Sequence, residues 1–270
     1  MRVSPTAAGI IGAAALVLAD AAAASPRVAS LDQCADQFVL ALSPRADIAG
    51  LSYRATAPDS YLREAAKGLP RLRTDLESVL AARPQVVVRE WGGDPALVRR
   101  LQARGVRVIG IDDASDFDGV RTNIRRVATA LGRGQQGEAL VSRMDAQLAA
   151  AADAWRGRRG LYLTPGGFTA GRGTLIGAMM QAAGMTDAAR SPDFAPAPLE
   201  SLVLHSPDAV VLGFFDRASA STQHWSLAGH PALARMLKGH PVVSLPGAIL
   251  GCAAWFAADG AQALAAAARP

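Results

Sequence analysis

Aromatic residues are scarce in this chain of 270 residues: Phe, Trp and Tyr together make up 5% of it, so an aromatic in a loop is more informative than usual. There are only two cysteines, Cys34 and Cys252, too few for a disulfide-built scaffold. They either pair or serve as small buried hydrophobes, and their distance in sequence does not decide which. The four histidines, His205, His224, His230 and His240, all lie in the second half, and no His, Cys and carboxylate set has zinc-like spacing. This argues against a resident metal or other cofactor. The formal charge of +5 is spread out, with no run of five or six like charges, so no nucleic-acid-binding arm is present. Nucleophilic catalysis has no signature either, since Gly-x-Ser-x-Gly is missing and nothing pairs a serine with a base.

Long apolar runs are confined to the N-terminus. Arg2, the apolar segment 7–18 and Ala22-Ala23-Ala24 before Ser25 have the charged, apolar and small-residue parts of a cleaved secretory signal. The apolar part is shorter than the ~20 residues a membrane span needs. A signal peptide over 1–24 and a free periplasmic protein are therefore expected.

What the chain does contain is a repeat. Residues 76–88, LESVLAARPQVVV, and 199–211, LESLVLHSPDAVV, align without a gap at Leu-Glu-Ser, Pro and Val-Val. In each copy a short helical turn ends before a proline, and a β-branched run follows that suits a strand buried on both faces of a parallel sheet. Two copies suggest two lobes on one plan. Strands are expected at 27–31, 48–51, 86–88, 106–111, 161–163, 210–212 and 241–245. Helices are expected at 34–42, 60–67, 95–104, 174–183, 231–238 and 253–268. Strand and helix alternate, which indicates a parallel α/β architecture. Between Val120 and Trp155 the alternation stops. Leu140, Val141, Met144, Leu148, Ala151, Ala152 and Trp155 hold a 3.6-residue stripe, predicting a long helix placed to bridge the lobes. The expected division is 25–119 for the N-terminal lobe, 120–157 for the helical segment and 158–270 for the C-terminal lobe.

Ligands of α/β sheets bind at the carboxyl ends of strands. The loops there carry Tyr53 and Arg54, Arg89, Glu90 and Trp91, Phe168 and Arg172, and Phe214, Phe215 and Arg217, with Trp255 just past the last one. An aromatic cleft with a few arginines suits a large, flat ligand bearing anionic groups. The Gly-rich loop 164–173 has glycines at Walker spacing, Gly166 and Gly171, but Arg172 and Gly173 stand where Lys and Ser or Thr are required. It reads instead as a turn that lets the backbone approach a ligand, with the helix start at Thr174 favouring an anionic group.

The ordered set formed by Arg27–Asp32, Ile48-Ala49-Gly50-Leu51 with its Tyr53 loop, both Leu-Glu-Ser units, Trp91-Gly92-Gly93 and the helix before Gly157 resembles the substrate-binding proteins of ABC importers in the cobalamin and ferric-siderophore branch (class III). The resemblance covers essentially the whole mature chain. It implies two Rossmann-like α/β lobes joined by a single long interdomain helix, with ligand in the cleft between them. It implies no enzymatic activity, and as partners a membrane permease and its ATPase. Glu77 and Glu200, from the Leu-Glu units, match the carboxylates that dock such proteins on the permease. Tyr53 and Trp91 fall where vitamin B12-binding members embrace the corrin. Segment 246–250 lacks the aromatic those members carry, so a ferric siderophore, haem or another corrinoid stays open beside cobalamin. The ligand-contacting set expected is Tyr53, Arg54, Arg89, Trp91, Phe168, Arg172, Phe215 and Trp255, in a monomer. The rival reading is a secreted α/β enzyme acting on a glycosyl or phosphate ester.

Overall fold

A computed structural model describes residues 25–90, 92–197, 206–217 and 238–268. The N-terminal half contains β1 (Val28–Ser30), α1 (Gln33–Leu42), β2 (Ile48–Ser52), β3 (Arg71–Leu72), α2 (Leu76–Ala81), β4 (Val86–Glu90), α3 (Pro95–Gln102) and β5 (Arg107–Ile111). Its five strands lie in the order β3-β2-β1-β4-β5 and every pairing is parallel. Two helices follow, α4 (Phe117–Ala130) and α5 (Gly134–Ala151). The second half has β6 (Arg159–Leu163), β7 (Phe168–Thr169), α6 (Leu175–Ala182), β8 (Thr186–Asp187), β9 (Ala195–Pro196), β10 (Ala209–Gly213), β11 (Val242–Leu245), the single turn α7 (Gly247–Leu250) and α8 (Ala257–Ala267). Its main sheet is parallel with the order β11-β10-β6-β8. β7 and β9 form a small antiparallel pair beside it.

The two main sheets share one plan. In each, the first strand of the lobe pairs with the strand of the repeat unit, Val28 with Val86 and Leu161 with Val210. Strand parity then sorts the side chains. Val86 and Val88 face a core that runs through both lobes, whereas Val87 faces an outer cluster with Leu97 and Leu101. In β10, Val211 points into the shared core and Val210 into an outer cluster with Leu161 and Leu163.

The N-terminal lobe is closely capped. Asp32, Asp75, Asp94 and Asp116 each accept a backbone N–H at a helix start, with Ala35, Ser78, Ala96 and Gly119 as donors. Such caps each stabilise a helix by roughly 1 kcal/mol.

The connection between lobes is a helical pair. α4 packs on β5 and α1, and α5 packs on α4, α8 and α6. α5 has 18 residues, about 27 Å of rise. Its glycine Gly137 sits against Ala128 of α4, where a Cβ would come within 2.5 Å of the alanine methyl. The helix ends at Ala151, earlier than Trp155, because Asp153 turns into the left-handed region (φ 56°). Trp155 is nevertheless fully buried, and its ring N–H donates to the Leu264 carbonyl at 2.8 Å.

A second junction joins the first and last helices. Cys34 and Cys252 form a disulfide, with Cα atoms 5.4 Å apart. Next to it Trp255 packs edge-on to Phe38 at 5.4 Å, and Phe256 stacks on Tyr61 at 4.2 Å. The Tyr61 hydroxyl donates to Asp259, which also accepts from Gln147 of α5 at 2.6 Å.

Two expected helices differ from the structure: the last begins at Ala257, after bends and turns at 251–256, and the one over 60–67 is absent. Residues 60–67 form consecutive turns and no helix, since the segment has no side-chain cap and instead uses the Gln37 amide and carbonyl turns for its bonds. The strands β3, β7, β8 and β9 are two residues each, too short to show a period. The helix expected at 231–238 lies almost wholly outside the described residues.

Candidate functional site

The carboxyl ends of β4, β5, β6, β10 and β11 converge on a cleft of about 350 Å³ between the lobes. The N-terminal lobe contributes Glu90, Asp113, Ala114 and Ser115. The C-terminal lobe contributes Tyr162, the start of α6 from Gly173 to Met179, Asp193, Phe194, Phe214 and the turn 250–253. This volume falls at the lower end of the roughly 300–1,000 Å³ typical of small-molecule sites.

Each wall follows from local rules. Glu90 is the last residue of β4 and shares the parity of Val86 and Val88, so its carboxyl faces the cleft. Burial, together with Asp32 and Asp113, raises its pKa to about 7. Its backbone N–H donates to Asp32 Oδ2 at 2.7 Å, which fixes the end of β4 to the cap of α1. Burial also moves the Asp32 carboxyl upward, against the pull of its bonds from Ala35 and Glu90 and of nearby Arg89.

Behind this wall lies Asp36, fully buried. It accepts from the Ser30 hydroxyl, from the Ser52 N–H at 2.8 Å and from the Ser52 hydroxyl at 2.6 Å. Burial raises its pKa to about 6 in spite of these bonds. The node ties α1 to the ends of β1 and β2.

The opposite wall is built differently. Tyr162 is fully buried on β6, and its hydroxyl has no hydrogen-bond partner among the described residues. Gly213 makes room for it, since a Cβ there would stand 2.2 Å from the hydroxyl oxygen. Phe214, next in the chain, adopts φ 63° and lines the cleft. Thr174 caps α6 by accepting from Gly177 N–H at 3.1 Å and donating to the Gly171 carbonyl at 2.7 Å. The Gly-rich loop serves packing: a Cβ on Gly171 would stand 1.9 Å from the Ser191 carbonyl oxygen, so the glycine admits the 191–193 backbone where a ligand approach was expected.

The expected contact residues are distributed as follows. Arg54 is engaged within its lobe, bound to Asp59 at 2.8 Å and to Gln33 at 2.7 Å. Arg89 has the opposite parity to Glu90. It lines an adjoining hollow of about 140 Å³ with Asp32, Thr74, Asp94, Leu97 and Glu90 itself, and its Nε donates to the Glu90 carbonyl at 3.0 Å. Arg172 is exposed and acts electrostatically on Asp187, away from the cleft lining. Trp255 belongs to the interlobe junction with Phe38 and Phe256. Tyr53 and Phe168 are exposed by 67% and 49% on loops at strand ends and do not line the described cleft. Phe215 is half-buried, and its neighbour Phe214 takes the lining position. Trp91, Glu200 and the side chain of Arg217 lie outside the described residues. Glu77 is exposed in the first turn of α2. Glu90, named only as a loop residue, and Asp113, Tyr162, Asp193 and Phe194 were missed as contacts. The parity of β4 was the available signal for Glu90.

Among the described residues, no group of three or more His, Cys, Asp or Glu side chains is placed to hold a metal ion. No helix among them is long and apolar enough to cross a membrane.

Two parallel α/β lobes, joined by a helical pair and facing each other across a cleft at their strand ends, define a bilobal solute-binding protein of class III. Residues 28–237 match the periplasmic binding protein family, and the chain belongs to it. It is 29% identical over 197 residues to the cobalamin-binding protein of Halobacterium salinarum, a match covering 69% of this chain and 53% of that one. The chain thus spans about half the length of the curated relatives it matches. Among solved structures, the periplasmic heme-binding protein RhuT from Roseiflexus sp. RS-1 superposes with a TM-score of 0.67 at 26% identity, covering 91% of this chain and all of that one. The periplasmic heme-binding protein BhuT, in complex with two hemes, gives a TM-score of 0.70 at 26% identity with the same coverage. The family is one of substrate-binding transport proteins rather than enzymes.

Proposed function

We propose that this chain is the periplasmic receptor of an ABC importer, exported by a cleaved signal peptide, which captures a metal chelate and delivers it to a permease energised by an ATPase. The ligand class is a corrinoid, a haem or a ferric siderophore. The observation that carries the reading is the interlobe cleft at the strand ends of two like sheets, in a chain of the periplasmic binding protein family. The similarity to a cobalamin-binding protein and to heme-binding proteins supports the ligand class. Tyr53, Phe168 and Trp91 are the loop aromatics we assign to the outer face of the ligand. Glu77 and Glu200 are the docking carboxylates, one per lobe, which would set the orientation of the protein on a two-fold permease.

Titration of tryptophan fluorescence with cyanocobalamin, haemin and a panel of ferric siderophores tests this. One of them is expected to bind more tightly than about 10 μM, the micromolar range of a specific small-ligand complex. Absence of binding across the panel refutes the receptor reading for these ligands. In the same protein, Glu77→Ala with Glu200→Ala is expected to leave that affinity unchanged and to abolish uptake by cells. Loss of affinity would instead place these residues in ligand binding or folding.

A further inference from the structure

Among the described residues, the charges that line the cleft are of one sign. Glu90 and Asp113 come from the N-terminal lobe and Asp193 from the C-terminal lobe, so carboxylates stand on both sides. No lysine or arginine is among the described lining residues. Of the arginines next to lining residues, Arg89 donates to the Glu90 carbonyl at 3.0 Å and lines an adjoining hollow, while Arg172, beside Gly173, and Arg190, three residues before Asp193, are exposed outside the described lining. Among the described residues no ion pair engages Glu90, Asp113 or Asp193. At the base of the same cleft the buried Tyr162 hydroxyl has both its donor and its acceptor capacity unengaged within the described residues. A buried hydroxyl without a partner carries a desolvation penalty, which a ligand group removes on binding.

Ionised carboxylates are acceptors only, and each disfavours a second negative charge beside it. We propose that the cleft selects a chelate whose rim presents hydrogen-bond donors, amide or ammonium N–H groups, and no free carboxylate. This rests on the receptor reading above and narrows it. It also reverses the sequence-based expectation that arginines receive an anionic ligand. Asp113 and Asp193 are the specificity-determining acceptors, Glu90, half protonated near neutral pH, joins them as pH rises, and Tyr162 fixes one further polar group of the ligand at the base. Rejection of carboxylate-bearing chelates comes from like charge placed on both sides of the opening.

The test uses pairs that share a framework, one member presenting hydrogen-bond donors at its rim and the other free carboxylates. Dicyanocobinamide, which bears amides, is compared with the corresponding heptacarboxylate. Ferrioxamine B, which bears an ammonium, is compared with its N-succinyl derivative. Haemin is compared with its bis-amide. In whichever pair binds, the donor-bearing member is expected to bind at least about tenfold more tightly, as like-charge juxtaposition in an interface requires. Asp113→Asn with Asp193→Asn is expected to shrink that ratio at least about threefold. Both residues are exposed, so the fold is not at risk. Measured at pH 8, where Glu90 is mostly ionised, Glu90→Gln should shrink it further. Equal or tighter binding of the carboxylate member, or a ratio that the double variant leaves unmoved, overturns the inference while leaving the receptor reading intact. Failure of every member of every pair to bind overturns both.

Discussion

The two lobes repeat one strand plan and differ in how they treat buried polar groups. In the N-terminal lobe Asp36 is saturated by Ser30 and Ser52, and four aspartates cap four helices. In the C-terminal lobe Thr174 caps α6 and Asp216 accepts from the first N–H of α7, but the buried Tyr162 and Thr169 hydroxyls have no partner among the described residues and α8 has no side-chain cap. Duplicated architecture therefore does not mean duplicated roles. Polar groups satisfied within the chain give one lobe a fixed frame, and an unengaged polar group on the other is available to a ligand. A network with every member bonded stabilises and specifies; a lone buried hydroxyl costs stability unless something completes it.

Four changes would sharpen or break this contrast. The largest effect is expected from Cys34→Ser with Cys252→Ser. Loss of a cross-link closing so long a loop should lower the urea-unfolding free energy by up to about 5 kcal/mol. If the lobes are unequal in frame, the unfolding transition should then split. A single transition at unchanged midpoint would count against that. Next, Asp36→Ala, measured at pH 5, should cost roughly 3–4 kcal/mol by leaving three buried donors unpaired. The lobes would be alike after all if the cost were below 1 kcal/mol, within ordinary surface effects.

Asp36→Asn tests the same node by pH. Folding raises the Asp36 carboxyl from 3.8 to about 6, so the native state binds its proton more tightly than the unfolded chain. Its contribution is fully present below about pH 4 and is lost as pH rises through about 6. The stability of the wild type relative to Asp36→Asn should therefore fall between pH 4 and pH 7 by on the order of 3 kcal/mol. Parallel pH curves for the two proteins would contradict the assignment. The smallest effect is expected from Tyr162→Phe, which removes a hydroxyl without a partner and should change stability by under about 1 kcal/mol while weakening ligand binding. A loss as large as that of Asp36→Ala would show that Tyr162 is already bonded within the fold.

Much of the fold was legible because its signals are local. Val86-Val87-Val88 and Val210-Val211 read as buried strands, prolines marked their starts, and Asp32, Asp94 and Thr174 announced helices by capping chemistry. The cleft was less legible, for three physical reasons. Strand parity sends adjacent residues to opposite faces, so Arg89 drew attention while Glu90 held the cleft position. An arginine's destination is set by its partner, and Asp59, five residues on, takes Arg54 for a local ion pair. Trp255 stood at the right place in the chain for a ligand contact, but Phe38, more than two hundred residues away, determines that it packs between the lobes. Long-range partners of this kind leave no periodic trace in sequence. The open question about the cysteines was of the same type: only the fold brings Cys34 and Cys252 together.

That bond has a consequence for how the molecule is made. It joins residues separated by 218 positions, so every described element from β2 to α7 lies inside one covalent ring. A chain crossing a membrane N-terminus first presents Cys34 early, and that thiol must then wait for the segment up to Cys252 to emerge before its partner arrives. The cross-link therefore reports that the chain has been made at least as far as Cys252. A chain truncated before Cys252 cannot carry it, and a copy retained in a reducing compartment does not keep it. In an exported receptor, closure of this ring and arrival in an oxidising compartment would be recorded by the same two sulfur atoms.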